Sequence, residues 1–262
     1  MTRWLLNTFP TWALAIIVVG TLVLFAAVGQ YFVRRRWPQT AEGENNEVAG
    51  VLLGLVGAVY GILLAFVIVA LYEDHQAAKG VVREEATEVE QIHRASAAFP
   101  GAVRREVRGE LNDYVRTVVV TEWELMEDGR FSPRAWGRVD ALYATLQAYR
   151  PRTESESAFY GEAVAKLDDL VAARRERLHF AEESLPGAFQ ALIVGGALLL
   201  VAFMFLIGIR SLRMQMTMVV SLAALVGVNV LLVVLLDHPF SGEVAVSSHP
   251  FQEVALAVLV RS

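Results

Sequence analysis

Two spacings in this chain could do metal chemistry. Glu90-x-x-His93 and Glu176-x-x-His179 each place a carboxylate three residues before an imidazole. A pair of Glu-x-x-His motifs on two helices of a bundle is how carboxylate-bridged di-iron sites are ligated. Helix geometry argues against the pairing here. At about 1.5 Å per residue, His93 lies roughly 31 Å beyond Tyr72 on a continuous helix, and His179 lies roughly 10 Å before Pro186. Antiparallel neighbours would hold the motifs at different heights, so no metal site is assigned.

The same arithmetic brings another group level. Glu73, Asp74 and His75 follow one apolar run, and His179, Glu182 and Glu183 precede another. They form an expected acidic collar, read either as a solvated face capping two helices or as a vestibule that attracts cations or binds a divalent ion. Nucleophilic catalysis finds no support. There is no cysteine, no serine in a nucleophile-elbow context and no glycine-rich phosphate loop. No catalytic residue, enzyme activity or cofactor is assigned. A net charge of −5, with no basic stripe interleaved with aromatics, argues against nucleic acid as a partner.

The elements that must position these residues are mostly apolar. The chain of 262 residues is 55% hydrophobic, yet residues 73–185 hold 16 of the 23 Lys+Arg and 22 of the 28 Asp+Glu. That is a membrane part plus one polar insert. Thr11–Val33, Val48–Tyr72, Pro186–Ile209 and Met214–Leu236 are each long and apolar enough to cross a bilayer. Residues 34–47 form a short polar loop. The expected segments are residues 1–72 with two spans, 73–185 as the extramembrane domain, 186–236 with two more spans, and 237–262 as a C-terminal tail. The lipid bilayer is therefore the first partner.

Gly50, Gly54, Gly57 and Gly61 recur at intervals of four, three and four in the second span. Small residues on one face let membrane helices approach closely, and packing on a neighbouring helix is the expectation, with a flexible gate as the alternative. Ile62, Phe66 and Val69 share another face. They are either an ordinary buried face or a ring that constricts a pore.

The second span runs on as a charged stalk to about Phe99, with Val82, Ala86, Val89, His93 and Ala97 in helical phase. Pro100-Gly101 ends it. Val107, Leu111, Tyr114, Val115, Val118 and Leu125 give the next helix its apolar face, and Gly129 stops that helix. Ser132-Pro133 reads as a capping serine with proline at the first helical position. Trp136, Val139, Tyr143, Leu146 and Tyr149 follow as a buried face. Thr153-x-x-Glu156 is a capping box opening a helix through Phe159, Ala163, Leu167, Leu170, Val171, Arg174 and Leu178. The fold class is an all-α membrane protein, four transmembrane helices with a helical bundle between the second and third.

Arg34, Arg35, Arg36, Arg210 and Arg213 lie in the two short loops on one side. The positive-inside rule puts that side in the cytoplasm and residues 73–185 in the periplasm of a bacterial inner-membrane protein.

A resemblance appears at the end of the fourth span. Leu236-Asp237-His238-Pro239-Phe240-Ser241-Gly242, then His249-Pro250-Phe251, stand downstream of Gly61-Ile62-Leu63-Leu64-Ala65-Phe66-Val67-Ile68-Val69, Tyr114 and Glu122-Trp123. Together these resemble the bestrophin-like family of bacterial membrane proteins, catalogued as a domain of unknown function. True bestrophins are pentameric anion channels with an apolar neck on the second span and a Pro-Phe-Gly turn after the fourth. The resemblance thus implies a homo-oligomer, small inorganic ions as partners, and Asp237, Pro239, Phe240 and Gly242 as the turn, one residue longer here. The acidic calcium clasp that follows that turn in bestrophins is absent. The resemblance would also place the insert in the cytoplasm, but the local arginines carry the greater weight. The expected function is an oligomeric ion channel or pore lined by the second span. The alternative is a non-conducting membrane sensor or scaffold whose helical domain binds a partner.

Overall fold

The structure, a computed structural model, describes residues 2–37 and 46–254, so most of the polar loop at 34–47 and the last residues of the tail lie outside it. Regular structure among the described residues is entirely helical: α1 (Thr2–Thr8), α2 (Thr11–Arg36), α3 (Asn46–Ala95), α4 (Gly101–Thr117), α5 (Trp123–Glu127), α6 (Pro133–Ala148), α7 (Glu154–Glu182), α8 (Gly187–Met204), α9 (Leu212–Leu236) and α10 (His249–Val254). The apolar stretches of α2, α3, α8 and α9 are long enough to cross a membrane. Two compact units emerge: residues up to 73 with 184–237, and 74–183 with the described residues from 238 onward. The tail, expected as a segment of its own, thus joins the second unit. Phe240, Val246, Phe251 and Val254 bury themselves in its core.

In the first unit the core runs through Leu22, Ala26, Tyr60, Leu64, Leu200, Val201, Val219, Ala223 and Val226. Close helix approach occurs at glycines other than those expected. A methyl group on Gly227 would meet the Val19 Cα at 3.0 Å, and one on Gly29 or Gly196 would strike the ring of Phe205 or Tyr60 at 2.5 Å. The Tyr60 hydroxyl donates to the Ile193 carbonyl at 2.8 Å. The expected stripe is corrected accordingly. Gly57 comes only within ordinary contact of Leu200, while Gly50, Gly54 and Gly61 face open space within the chain. The buried line of α3 passes through Ala49, Tyr60, Leu64 and Leu71, and those three glycines sit roughly 90° around the helix from it. Arg34 ties the arginine-bearing ends together, donating to Ile209 and Arg210 carbonyls and to Gln215 Oε1.

In the second unit α3 continues without interruption to Ala95, then tightens into a 3-10 turn at Ser96–Ala98. The tighter turn changes the phase, so Ala97 is exposed and Ser96 takes the inward place. Between α4 and α5 the helix widens into a π turn, Val118–Glu122. Past it Met126 is fully buried, whereas the expected Leu125 is half-buried. Gly129 ends α5 with φ of 71°, a conformation that suits glycine. One further expectation is corrected, the Ser132 cap. Ser132 makes no side-chain cap to α6; its N–H instead donates to Glu122 Oε1 at 3.0 Å. Phe159 faces outward. Thr153 does cap α7, accepting from the Glu156 N–H at 3.1 Å, while the Glu156 carboxylate reaches back to the Arg152 N–H at 2.8 Å.

Candidate functional site

The membrane half of α3 carries a face that the other described residues leave largely uncovered. Ile62, Phe66 and Val69 are 60%, 73% and 55% exposed, and Val48, Val51, Leu55 and Val59 extend the strip along the helix. The opposite side is pinned by Tyr60, Leu64 and Leu71, so the strip has a fixed direction. Large apolar side chains repeated around an axis would dewet a narrow passage.

The expected collar does not assemble. His75 is buried, because it follows Leu71 by four residues and precedes Ala78 by three on the inward line of α3. Glu73, Asp74, Glu182 and Glu183 are exposed, and His179 Nε2 lies 3.3 Å from Glu183 on the surface of α7. Among the described residues no three His, Asp or Glu side chains converge in a group that could hold a metal ion. This covers both the collar and the two Glu-x-x-His motifs, whose His93 is buried while His179 is exposed.

The most polar point of the second unit lies in its core. Arg177 Nε donates to Glu85 Oε2 at 2.5 Å and its Nη2 to Glu85 Oε1 and Glu122 Oε2, both at 2.9 Å. Arg174 grips Glu122 with two bonds of 2.6 Å, and the Tyr114 hydroxyl donates to Glu85. All four charged side chains are fully buried. Aromatic rings close the sides, with Arg174 over Trp136 at 4.8 Å and Arg177 over Trp123 at 5.4 Å. Two acids and two arginines balance.

Each group's proton affinity follows from these neighbours. Burial alone would raise the Glu122 pKa. The hydrogen bonds from Arg174, the charges of Arg177 and Arg174, and the Ser132 N–H outweigh it and hold the carboxyl below the usual range. Burial would lower the Arg177 guanidinium, but Glu85 reverses this and raises it. Burial, then Glu85, push the Tyr114 phenol up. The network offers no group accessible to solvent. It joins α3, the π turn and α7.

The C-terminal turn docks on the same core. Phe240 is 2% exposed and its ring meets Trp123 edge-on at 5.8 Å. The Val246 N–H donates to the Pro239 carbonyl at 2.8 Å, Ser241 Oγ to Glu127 O at 2.7 Å, and Trp123 Nε1 to Val246 O at 3.3 Å. Gly242 takes φ of 80°, which lets the chain reverse. In the first unit, Asp237 Oδ1 accepts from the Leu185 N–H at 2.6 Å.

Sequence reasoning missed Glu85 and Arg177. The signal was present, since both fall in phase with apolar stripes: Glu85 with Val82, Ala86 and Val89, and Arg177 with Leu170, Arg174 and Leu178. A charge on an inward face calls for an opposite charge on a facing helix, and only the fold shows which helices face.

Residues 20–251 match the Bestrophin-like domain. The chain belongs to the Bestrophin-like family. Its fold agrees with that of a bacterial bestrophin homologue from Klebsiella pneumoniae, at a TM-score of 0.70 and 14% identity over 94% of this chain and 97% of that one. A single-residue variant of the Klebsiella homologue matches equally, at 0.70 and 14% over 96% and 98%. A structure described as a membrane protein gives 0.71 and 13% over 92% and 97%. These likenesses concern the fold. Comparison with curated proteins found no sequence match.

Proposed function

We propose that this Bestrophin-like chain is one subunit of an oligomeric ion channel in the bacterial inner membrane, with α3 lining the pore. The uncovered apolar strip of Ile62, Phe66 and Val69 is the observation that carries the reading. A face held in a fixed direction by Tyr60 and Leu64, and left largely exposed by the described residues, suits a wall built from several copies. Family membership supports conduction over enzyme activity, and the resemblance to true bestrophins suggests a pentamer. Glu73, Glu182 and Glu183 are exposed and would draw cations, whereas that resemblance suggests anions. Both ion classes are therefore measured.

Purified protein in liposomes should support an ion flux that Phe66→Ala increases, because removing a ring of large side chains widens the constriction. The particle should be an oligomer in detergent. If wild type and Phe66→Ala both leave anion and cation gradients intact across a range of pH and calcium, the channel reading fails. A non-conducting sensor or scaffold would then replace it.

A further inference from the structure

The two flanks of α3 within the membrane differ in size. At about 100° per residue, Gly50, Gly54, Gly61 and Ala65 lie roughly 100° to one side of the strip of Ile62, Phe66 and Val69, and Leu52 and Leu63 lie roughly 80° to the other. The four small residues are exposed, and a methyl group added to any of the three glycines would meet nothing within 4 Å. Leu52 is exposed and Leu63 half-buried. One flank is thus a row of holes and the other a row of knobs.

Depth makes the flanks complementary. A ring of identical chains about the membrane normal keeps each residue level with its counterpart in the next copy. Leu52 of a neighbouring copy then arrives midway in height between Gly50 and Gly54, and Leu63 midway between Gly61 and Ala65. Small residues four apart leave a hole one helical turn high, which a leucine fills, and such close packing associates helices where lipid removes the hydrophobic drive. A second observation favours protein over lipid as the neighbour. Beside the small flank a cleft of about 340 Å³ lies between α3 and α9, lined by Gly57, Gly61 and Asn229. Asn229 Nδ2 donates to the Leu225 carbonyl at 2.9 Å, and among the described residues nothing donates to its Oδ1. Hydrocarbon tails offer that oxygen no donor, whereas a protein interface supplies side chains or trapped water.

We propose that the small flank of α3 docks the large flank of α3 from a second copy of this chain, Leu52 entering between Gly50 and Gly54 and Leu63 between Gly61 and Ala65. The two patches differ, so the contact is head-to-tail and repeats around a ring. It also turns Ile62, Phe66 and Val69 of every copy toward one axis. The inference rests on the channel reading for the direction of that axis and adds the surface that holds the subunits together.

The chain contains no cysteine, so disulfide trapping reads the contact directly. Leu63→Cys combined with Ala65→Cys puts the two thiols on opposite flanks of one helix, out of each other's reach within a chain. Copper phenanthroline oxidation of the full-length double variant in nanodiscs should give a ladder of linked subunits on non-reducing gels, and neither single variant should. Gly61→Leu, whose side chain has open space in its own chain, should turn the oligomer seen by light scattering into monomers. Gly20→Leu, on the outward face of α2 with nothing within 4 Å, should stay assembled. No ladder from the double variant, an assembled Gly61→Leu or a dissociated Gly20→Leu overturns the proposal and assigns the small flank to lipid. Ion flux through an assembled Gly61→Leu would leave the channel reading standing. A ladder together with a wild type that passes neither anions nor cations upholds the contact and overturns the channel reading.

Discussion

Two halves of one helix face two solvents. Between Asn46 and Tyr72, α3 buries Tyr60 and Leu64 but leaves Phe66, the most exposed of its large apolar side chains, uncovered. Beyond Asp74 the outward residues are Arg83, Glu84 and Arg94, and the inward line contains Glu85 among Val82, Ala86 and Val89. In the first half, bare apolar surface costs little because lipid or a neighbouring subunit covers it. In the second half, water demands the charges outside. An acid that points inward there must meet a cation, and Arg177 supplies it. The strip of the first half is accordingly a surface for something outside the chain, and the polar cluster of the second half is internal cement.

Breaking the cement gives the largest expected effect. Arg177→Met leaves Glu85 and Glu122 in the core with one cation between them, and should cost about 3–5 kcal/mol of stability. Adding Glu85→Gln to it should recover part of the loss, read as a non-additive cycle in thermal unfolding of the detergent-solubilised protein. Equal and additive losses would show the two residues to be uncoupled. Phe240→Ala comes next, at about 3 kcal/mol, since it removes a buried ring that packs on Trp123. A neutral result would mean that the tail is not part of the second unit's core.

A pH series sharpens the comparison further. The native pKa of Glu122 lies below its unfolded value. Its stabilising contribution is therefore present above the ordinary carboxylate range and is lost as pH falls through the native value. Stability of the wild type should drop on acidification from about pH 4.5 downward, and Glu122→Gln should flatten that slope while lowering stability at neutral pH. A slope unchanged by the substitution would place the acid sensitivity elsewhere.

Phe66→Ala should behave oppositely to all of these. Its side chain touches little within the chain, so subunit unfolding should shift by no more than about 0.5 kcal/mol while ion flux rises. A large loss of stability with no flux would recast the strip as ordinary core between subunits. The mildest intervention concerns topology. A reporter active only in the cytoplasm, fused at the Gly129–Arg130 turn, should be silent if residues 73–185 are periplasmic, as Arg34, Arg35, Arg36, Arg210 and Arg213 suggest. Strong activity would reverse the orientation.

Hydropathy and helical phase were enough, by themselves, to place four spans, the uninterrupted stalk of α3 and the all-α class, because a bilayer enforces length and a helix enforces period. The capping chemistry of Thr153 and Glu156 was equally legible, being local. Contacts between distant residues were not. The glycines that permit close approach within the chain proved to be Gly29, Gly196 and Gly227 rather than Gly50, Gly54 and Gly61, since sequence spacing marks a shared face but not which face meets a neighbour. His75 left the collar because one turn of helix decides whether a side chain meets water. The pairing of Glu85 with Arg177 spans 92 positions in the chain, and Glu122 reaches it through a π turn that simple periodicity does not contain. Local rules determined the elements. Only the tertiary structure decided which charges share the core, because burial is a property of the faces that meet.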